Sequence, residues 1–314
     1  MGRVLLTGAG GLVGRHCLPL LQESGYEVHA VSSRAAPAGA PPAVTWHLVD
    51  LLDASQTAGL LARVRPTHLL HFAWYTAPGR YWTSLENFRW ARASLHLLEV
   101  FAAHGGARCV VAGSCAEYDW RSGARCSEAL TPLAPATPYG ACKHALHVML
   151  EALAGQTGLS GAWGRIFFLY GPHEHPGRLV ASVIGSLLRG EPALCSHGRQ
   201  VRDFLYVKDV ASAFVSLVGS DVTGAVNIAS GRPLTLERVI DKIAGKLGRR
   251  DLVRLGAVPA AADEPPELTA DVGRLRDEVG WSPRYSLDEG LEETIDWWKS
   301  RLSHGPGADD GELP

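Results

Sequence analysis

Residues 3–14 read RVLLTGAGGLVG, a short apolar run that passes directly into a glycine-rich turn. The run RVLLT has the length and composition of a buried strand, and residues 12–23 carry apolar side chains at the three- and four-residue spacing of a helix. Gly8, Gly11 and Gly14 therefore lie between a first strand and a first helix. This order predicts that the chain opens with the strand, turn and helix of an α/β fold.

Strand-like and helix-like segments alternate through the first half of the chain, which is typical of βαβ units on a parallel sheet. The candidate strands are residues 4–7, 27–32, 44–48, 68–72, 108–113 and 162–168. The candidate helices of this half are residues 12–23, 60–64, 85–104 and 139–157. We expect Pro19 to kink or break the first helix, because proline removes a backbone hydrogen bond and clashes with the preceding turn.

Loops rich in Pro and Gly and shorter helices follow residue 171, which indicates a second lobe. We predict a Rossmann-like doubly wound parallel sheet for residues 1–171, to which residues 207–230 return. A smaller C-terminal substrate-binding lobe then comprises residues 172–206 and 231–302, with helices at 179–189, 236–247 and 287–302. We expect residues 35–43 to form a loop of restricted flexibility and the polar residues 303–314 to form a disordered tail.

Composition and charge exclude several classes of partner. The 314 residues carry a formal net charge of −2 and no dense run of Lys or Arg, so neither nucleic acid nor an anionic membrane should attract the chain. No apolar run approaches the roughly 18 residues of a membrane helix, and no leader precedes the first strand, so we expect a cytoplasmic protein. The six cysteines form no C-x-x-C pair, and His173 and His175 lack partners at metal-site spacing, so we expect free thiols and no metal.

The glycine turn has the chemistry of a dinucleotide site, because glycines allow the backbone to approach a pyrophosphate at a helix N-terminus. Its spacing is G-x-x-G-x-x-G rather than the G-x-G-x-x-G of the dinucleotide fingerprint, and an ordinary glycine-rich turn would also explain it. Its place between a first strand and a first helix favours the dinucleotide. The candidate contacts are Gly8, Gly11, Leu12, Val13 and Gly14, together with Leu51 and Ala73 after later strands.

The end of the second strand indicates which dinucleotide is bound. An acidic residue there would hydrogen-bond to the ribose 2′-hydroxyl of NAD, but the strand ends in Ser32, Ser33 and Arg34. Two hydroxyls and a guanidinium can instead bind a 2′-phosphate. We therefore predict a preference for NADP(H), with NAD(H) as the alternative cofactor and a solvated turn as the alternative explanation. Asp50, after the third strand, is expected to meet the adenine edge.

The segment TPYGACKHAL, residues 137–146, places Tyr139 and Lys143 four residues apart on one helix face. Thr137 suits the N-cap and Pro138 the first helical position. A phenol has a pKa near 10, and a nearby ammonium would lower it, so we expect Lys143 to make Tyr139 a general acid or base. Two residues on a solvated helix would give the same pattern.

With a hydroxyl at the end of an earlier strand, these features resemble the extended short-chain dehydrogenase/reductase family, specifically its nucleotide-sugar members. The resemblance covers roughly residues 3–300. It includes HFA at 71–73, PLAPATPYG at 132–140, RIFFLYGP at 165–172 and RQVRDFLYVKDVASAF at 199–214. It implies that Ser114 hydrogen-bonds to the substrate oxygen, Tyr139 exchanges the proton and Lys143 holds the nicotinamide ribose.

The resemblance also implies a nucleotide-sugar substrate and a homodimer. In the family an arginine in the position of Arg202 contacts the nucleotide diphosphate, and Arg80 and Arg178 are further candidate substrate contacts. Family members pair through two helices, one of them the helix that carries Tyr139. The residues that would allow this pairing here are Leu146, Met149, Leu150 and Leu153.

Two positions after Ser114 separate the reactions that this family catalyses. Nucleotide-sugar 4,6-dehydratases carry an Asp-Glu pair where this chain has Cys115 and Ala116, and alanine cannot transfer a proton. Strand alternation would turn Glu117 to the opposite face and make Cys115 a structural thiol. Since NADPH suits a net reduction, we predict a ketoreductase that acts on a nucleotide-activated 4-keto-6-deoxyhexose. A 4-epimerase, a dehydratase and a non-catalytic NADP(H) sensor remain as alternatives.

The segment between the fourth strand and the following helix departs from the family pattern. The helix usually begins with an Asn seven residues before a Leu-Leu pair, but Trp90 stands there and Asn87 lies one turn earlier. Trp74, Tyr75, Arg80 and Trp90 would then face the sugar, or the aromatic residues among them pack the groove and contact no ligand.

Overall fold

A parallel sheet of seven strands forms the centre of the described part of the chain, which in this computed structural model comprises residues 2–36, 41, 43–122, 125–260 and 264–304. With all strands numbered in chain order, the sheet contains β1 (Arg3–Thr7), β2 (Glu27–Ser32), β3 (Thr45–Leu48), β4 (His68–His71), β5 (Arg108–Ser114), β6 (Ser160–Ile166) and β11 (Gly224–Ile228). Their order across the sheet is β11-β6-β5-β4-β1-β2-β3. The predicted Rossmann-like doubly wound parallel sheet is confirmed.

Helices cover both faces of this sheet. They are α1 (Gly14–Glu23), α2 (Ala54–Val64), α3 (Glu86–Ala103), α4 (Pro138–Thr157) and α6 (Val207–Val218). Because side chains alternate along a strand, Val4 and Leu6 of β1 join the core that contains α1 and α6. Leu5 points to the other face and joins the core that contains α2, α3 and α4. The two faces are therefore filled by successive residues of the same strands.

Seven short strands and four helices lie outside this sheet and its covering helices in the described part of the chain. The strands are β7 (Phe168–Tyr170), β8 (Ala193–Leu194), β9 (Val201–Arg202), β10 (Phe204–Tyr206), β12 (Leu234–Thr235), β13 (Val253–Arg254) and β14 (Glu267–Leu268). The helices are α5 (Leu179–Leu188), α7 (Leu236–Leu247), α8 (Gly273–Asp277) and α9 (Leu287–His304). Three 3₁₀ turns are described at Cys115–Glu117, Trp120–Ser122 and Arg250–Leu252. No helix among the described residues is long and apolar enough to cross a membrane.

Two expectations about where helices begin and end are wrong. The first helix does not break at Pro19: α1 runs through it to Glu23, because the packing of the buried Leu18 and Leu21 outweighs the loss of one backbone hydrogen bond. The second helix is longer than residues 60–64, because the Asp53 carboxylate caps α2 by accepting from the Ser55 and Gln56 N–H groups.

Both segments expected to lack regular structure lie largely outside the described residues. The residues outside the described part are 37–40 and 42 in the loop at 35–43, and 305–314 in the tail. Residues 303 and 304, which we expected in the tail, belong to α9.

Candidate active site

A cleft of about 2250 Å³ lies beyond the carboxyl ends of β1, β2, β4 and β5. In an open α/β sheet this edge is where ligands bind, because the loops that follow the strands meet there. The cleft is lined by the glycine turn, the end of β2, the loop after β4, the start of α4, and residues of α9 and of the chain after β7. It therefore contains nearly every residue that the sequence singled out.

The glycine turn is a cradle that a larger residue would fill. Gly8 has a φ of +67°, and a Cβ at Gly14 would overlap the Gly8 carbonyl oxygen. The first turn of α1 follows at once, and no side chain caps its N-terminus. The unpaired N–H groups there suit the diphosphate of a dinucleotide. Leu12 and Val13 also line the cleft, as do Leu51 and Ala73 from neighbouring loops.

Arg15 and His173 extend this cradle, although the sequence pointed to His173 only as a possible metal ligand and did not single out Arg15. The Arg15 guanidinium donates to the Gly10 carbonyl at 2.8 Å and lies 2.5 Å from Nδ1 of His173. Burial, with Arg15 next in importance, lowers the pKa of His173 to about 3, so the imidazole is neutral and Arg15 carries the charge. His173 also contacts Trp297 of α9, with ring centroids 4.7 Å apart. No spacing in the sequence connects these residues, because three separate elements supply them.

Ser32, Ser33, Arg34 and Asp50 line the end of the cleft beside β2 and β3. The Ser32 hydroxyl accepts from the Arg34 N–H at 3.0 Å, and the Asp50 carboxylate accepts from the Leu52 N–H at 2.9 Å. Ser33 and Arg34 are exposed, so their side chains can reach a ligand from solvent.

Ser114 stands at the end of β5 and caps the turn Cys115–Glu117. Its hydroxyl accepts from the Ala116 N–H at 3.2 Å, and its own N–H donates to the Glu117 carboxylate at 2.7 Å. The expected strand alternation after Ser114 is wrong, because this capping box ends the strand there. Cys115 lines the cleft but is only 6% exposed, and burial raises the pKa of its thiol, which keeps it protonated.

Glu117 lies behind Ser114, fully buried. Its carboxylate accepts from the Arg165 guanidinium at 2.9 Å and from the Trp163 indole at 2.8 Å. His144 and His147 offer ring nitrogens close enough for the three residues to share a metal ion. The Arg165 cation already neutralises the carboxylate, so this cluster is better described as a buried ion-pair network.

Tyr139 lies in the first turn of α4, as the sequence predicted: Thr137 caps the helix by accepting from the Gly140 N–H at 3.1 Å, and Pro138 is its first residue. The expected lowering of the Tyr139 pKa by Lys143 is wrong. Burial raises this pKa, Tyr81 adds to the rise, and a hydrogen bond with Ser114 offsets only part of it. The phenol therefore holds its proton at neutral pH and is suited to act as an acid.

Lys143 lies one turn further along α4, only 3% exposed. Its ammonium donates to the Ala112 carbonyl at 2.8 Å, and its Nζ lies 3.8 Å from the centroid of the Trp74 ring. Burial lowers the pKa of Lys143 to about 7, although the Glu117 charge opposes this. The group can therefore change its charge near neutral pH.

Aromatic rings surround Tyr139. Tyr81 and Trp82 contact it edge-on, with centroids 4.9 Å and 5.6 Å away, and Trp120 contacts Trp82. The sequence did not identify these three, because they lie in irregular segments without periodicity. Trp74, Tyr75 and Trp90, whose role the sequence left open, also line the cleft.

The three arginines expected to bind substrate differ in their surroundings. Arg178 lines the cleft, and its positive charge offsets part of the rise that burial causes in the pKa of Tyr81. Arg202 also lines it, but is 2% exposed and donates to the Glu264 carboxylate at 2.7 Å, so a diphosphate would have to compete with Glu264. Arg80 is exposed and is not among the residues that line the cleft, because its loop turns it to solvent.

Comparison with known proteins places these features in one context. The profile of the NAD dependent epimerase/dehydratase family matches residues 4–229. UDP-glucuronic acid decarboxylase 1 of Xenopus tropicalis is 26% identical over 96% of this chain and 73% of its own length. The crystal structure of UDP-glucose 4-epimerase from Thermus thermophilus, a complex with NAD, has a TM-score of 0.83 and 27% identity, covering 95% of this chain and 99% of that one. MoeE5 in complex with UDP-glucuronic acid and NAD has a TM-score of 0.82 and 30% identity, covering 95% and 99% of the two chains.

Proposed function

The chain belongs to the NAD dependent epimerase/dehydratase family and is a pyridine-nucleotide-dependent enzyme of the extended short-chain dehydrogenase/reductase type; we propose that it uses NADPH to reduce a nucleotide-activated 4-keto-6-deoxyhexose. The main support for this proposal is the end of β2, where Ser32, Ser33 and Arg34 line the cleft in place of an acidic residue. A guanidinium and two hydroxyls favour a 2′-phosphate. NADPH suits a net reduction, which must draw its hydride from a reduced pool.

The reaction assigns one task to each of three residues. When bound, NADPH supplies the hydride that reaches C4 of the sugar. Ser114 orients the carbonyl at C4 through its hydroxyl. Tyr139, whose raised pKa keeps it protonated, donates a proton to the C4 oxygen as negative charge develops there. Lys143 holds the ribose of the dinucleotide beside them.

A 4,6-dehydratase is disfavoured by the turn after Ser114. Cys115 is a protonated thiol and Ala116 has no group that could transfer a proton. Glu117 supplies a carboxylate, but it is fully buried and bonded to Ser114, Trp163 and Arg165. The chain therefore lacks an acid-base pair at the positions where those dehydratases carry one.

A 4-epimerase is the second candidate, and its support is the likeness to the Thermus thermophilus UDP-glucose 4-epimerase. An epimerase removes a hydride and returns it within one turnover, so it retains NAD and consumes no reduced cofactor. For that reaction Tyr139 would accept the proton of the C4 hydroxyl as the hydride leaves and return it as the hydride comes back.

A panel of nucleotide 4-keto-6-deoxyhexoses, assayed with NADPH and NADH side by side, tests the proposal. We expect loss of nicotinamide absorbance with at least one keto sugar, and faster loss with NADPH. In Arg34→Ala the preference for NADPH should fall, mainly through a higher KM for NADPH, because the contact to the 2′-phosphate is removed. A preference for NADH in the unaltered enzyme, or an equal KM in Arg34→Ala, would contradict the assignment of Arg34.

The same proposal divides the chain by role. Residues 1–171 and 207–230 form the dinucleotide-binding part, which also supplies Ser114 to the sugar. Residues 172–206 and 231–302 form the nucleotide-sugar-binding part, which also adds His173 to the dinucleotide cradle. Arg178 and Arg202, both in the second part, are the candidate contacts to the diphosphate of the nucleotide sugar. The exposed apolar residues Phe88 of α3 and Val148 of α4 support a homodimer in which these two helices of each copy pair.

A further inference from the structure

The Lys143 ammonium rests on the face of the Trp74 indole. Its Nζ lies 3.8 Å from the ring centroid, well within the distance of a cation–π interaction. Lys143 is 3% exposed and Trp74 is 8% exposed, so little water competes for the charge. This contact joins α4 to the loop after β4.

The Trp74 ring is itself held in place. Its Nε1–H donates to the Asn87 side-chain carbonyl at 2.9 Å. The Asn87 amide nitrogen in turn donates to the Tyr81 carbonyl at 2.6 Å and to the Ser84 carbonyl at 2.9 Å. Asn87 is fully buried, so rotation of the indole would leave buried polar groups without partners. The ring plane is therefore fixed relative to the first turn of α3.

The titratable groups that the structure describes around Lys143 leave its ammonium without a counter-ion of its own, so the indole is the group that attracts it. From the turn after β5, Glu117 raises the pKa of Lys143, but its carboxylate is shared with Arg165. From the end of β4, His71 faces the ammonium as a neutral imidazole, since its pKa is lowered to about 3. Tyr139, on the same helix, is a neutral phenol. The ring face of Trp74 attracts the ammonium without adding a charge that would repel an anionic ligand.

We propose that Trp74, oriented by Asn87, is a positioning residue for Lys143: its ring face holds the ammonium where it meets the ribose of the dinucleotide. The contact between Lys143 and the ribose rests on the proposed function, whereas the cation–π contact between Lys143 and Trp74 does not. The role of Asn87 also explains why the asparagine lies one turn earlier than in the family pattern. From position 87, rather than from position 90, its side chain reaches the Trp74 indole nitrogen.

Lysine NMR of the dinucleotide-free protein tests the contact between Lys143 and Trp74 directly. The chain has only five lysines, at positions 143, 208, 242, 246 and 299, so ¹³C-labelled lysine gives a resolvable spectrum. We expect the ε-methylene signal of Lys143 to be shifted upfield by the Trp74 ring current and to titrate near pH 7. Trp74→Leu should abolish the upfield shift and lower the pKa of Lys143 by about one pH unit, because the charged form loses the ring face.

Two further variants make the result decisive. Trp74→Phe keeps a ring that attracts a cation less strongly, so its Lys143 pKa should fall between those of the unaltered protein and Trp74→Leu. Trp297→Leu removes another tryptophan of the same cleft, one that faces Arg301, and should leave the Lys143 signal unchanged.

The proposal is overturned if the pKa of Lys143 in Trp74→Leu is equal to or above that in the unaltered protein. Such a result would mean that the indole only fills space and that water stabilises the ammonium equally well in its place. If Trp74→Leu does not fold, the same criterion applied to Trp74→Phe decides. Because these spectra need no substrate or turnover, absence of ketoreductase activity would contradict the proposed function and leave this result standing.

Discussion

Tyr139 is the residue on which the proposed chemistry depends most. Its half-buried phenol packs against Tyr81 and Trp82, and the loss of solvent raises its pKa and keeps it protonated. Tyr139→Phe removes the proton donor but preserves the ring contacts. We expect kcat to fall by about 10²- to 10⁴-fold, with little change in KM or thermal midpoint.

The matched control for this variant is Tyr26→Phe, since Tyr26 lies outside the residues that line the cleft. Its kcat should be that of the unaltered enzyme. Steady-state kinetics with NADPH and a keto sugar provide the measurement. If Tyr139→Phe retained full activity, another group would have to donate the proton.

His71 predicts a pH dependence of stability that belongs to one side chain. Its Nδ1 lies 2.6 Å from the Thr7 hydroxyl and its Nε2 lies 2.8 Å from the Ser94 hydroxyl. Burial, with a smaller contribution from Lys143, lowers its pKa from 6.5 to about 3. In that pH range the unfolded chain binds a proton that the folded chain does not. The stability from His71 is therefore fully present above pH 6.5 and is lost as the pH falls towards 3.

Urea unfolding of the protein and of His71→Gln at several pH values measures this contribution. The difference between their free energies of unfolding should shrink by up to about 1.4 kcal/mol per pH unit as the pH is lowered from about 6 to about 4. His104→Gln is the matched control, because that imidazole is exposed. A difference that is independent of pH would mean that His71 is not held neutral.

Among the elements, the glycine turn and α1 fix the geometry of the cleft. A Cβ at Gly14 would overlap the Gly8 oxygen and lie 2.9 Å from the Ala9 Cα, so Gly14→Ala must push α1 away from β1. We expect a loss of about 1–3 kcal/mol in the free energy of unfolding and weaker NADPH binding.

Gly10→Ala is the control for the stability part of this prediction, because its Cβ would meet nothing within 4 Å. Urea unfolding and fluorescence titration with NADPH measure the two effects. Equal stability of the two variants would show that the turn is looser than the structure has it.

The regular elements were largely predictable, because apolar residues at fixed spacing specify which faces are buried. The range of β2 was identified without error, as was that of α7. The turn Cys115–Glu117 could not be predicted in the same way, because it forms when the Glu117 carboxylate caps the Ser114 N–H. A strand that continues past Ser114, with side chains alternating between its two faces, is the natural expectation from the sequence. A break at Pro19 is the local expectation, but tertiary packing, which no local rule includes, continues the helix through it.

The candidate site shows the same division. Ser114, Tyr139, Lys143 and the glycines could be found from spacing and from their place at strand and helix ends. The surroundings of Lys143 could not, because Trp74 and Asn87 are 69 and 56 residues away in sequence, and only the fold brings them together. The pKa of Tyr139 was misjudged for a related reason: burial depends on distant rings.

At the scale of the whole molecule, the surface of α3 and α4 carries the proposed homodimer. Leu146 and Leu150, which the sequence suggested for pairing, are 0% and 2% exposed and belong to the protein's own core. Phe88 and Val148 are instead 56% and 49% exposed. We expect light scattering to give twice the chain mass of 33.6 kDa, and Val148→Glu to give a monomer with an unchanged circular dichroism spectrum.

Leu194→Glu is the control for the dimer, because Leu194 is 60% exposed on β8, away from both helices. It should leave the mass unchanged. A dimer that persists in Val148→Glu would place the interface elsewhere, and a monomeric unaltered protein would contradict the proposal altogether.

Transfer of deuterium from NADPH that carries two deuterium atoms at C4 of its nicotinamide distinguishes net reduction from epimerisation. The protein is incubated with labelled NADPH and a nucleotide 4-keto-6-deoxyhexose, and the product is analysed by mass spectrometry and NMR. The proposed reduction predicts one deuterium at C4 of the sugar for each NADPH consumed. Unchanged keto sugar with no loss of NADPH would contradict it. In a parallel incubation of a 4-hydroxy nucleotide sugar with NAD, formation of the C4 epimer without net change in the cofactor would establish an epimerase instead.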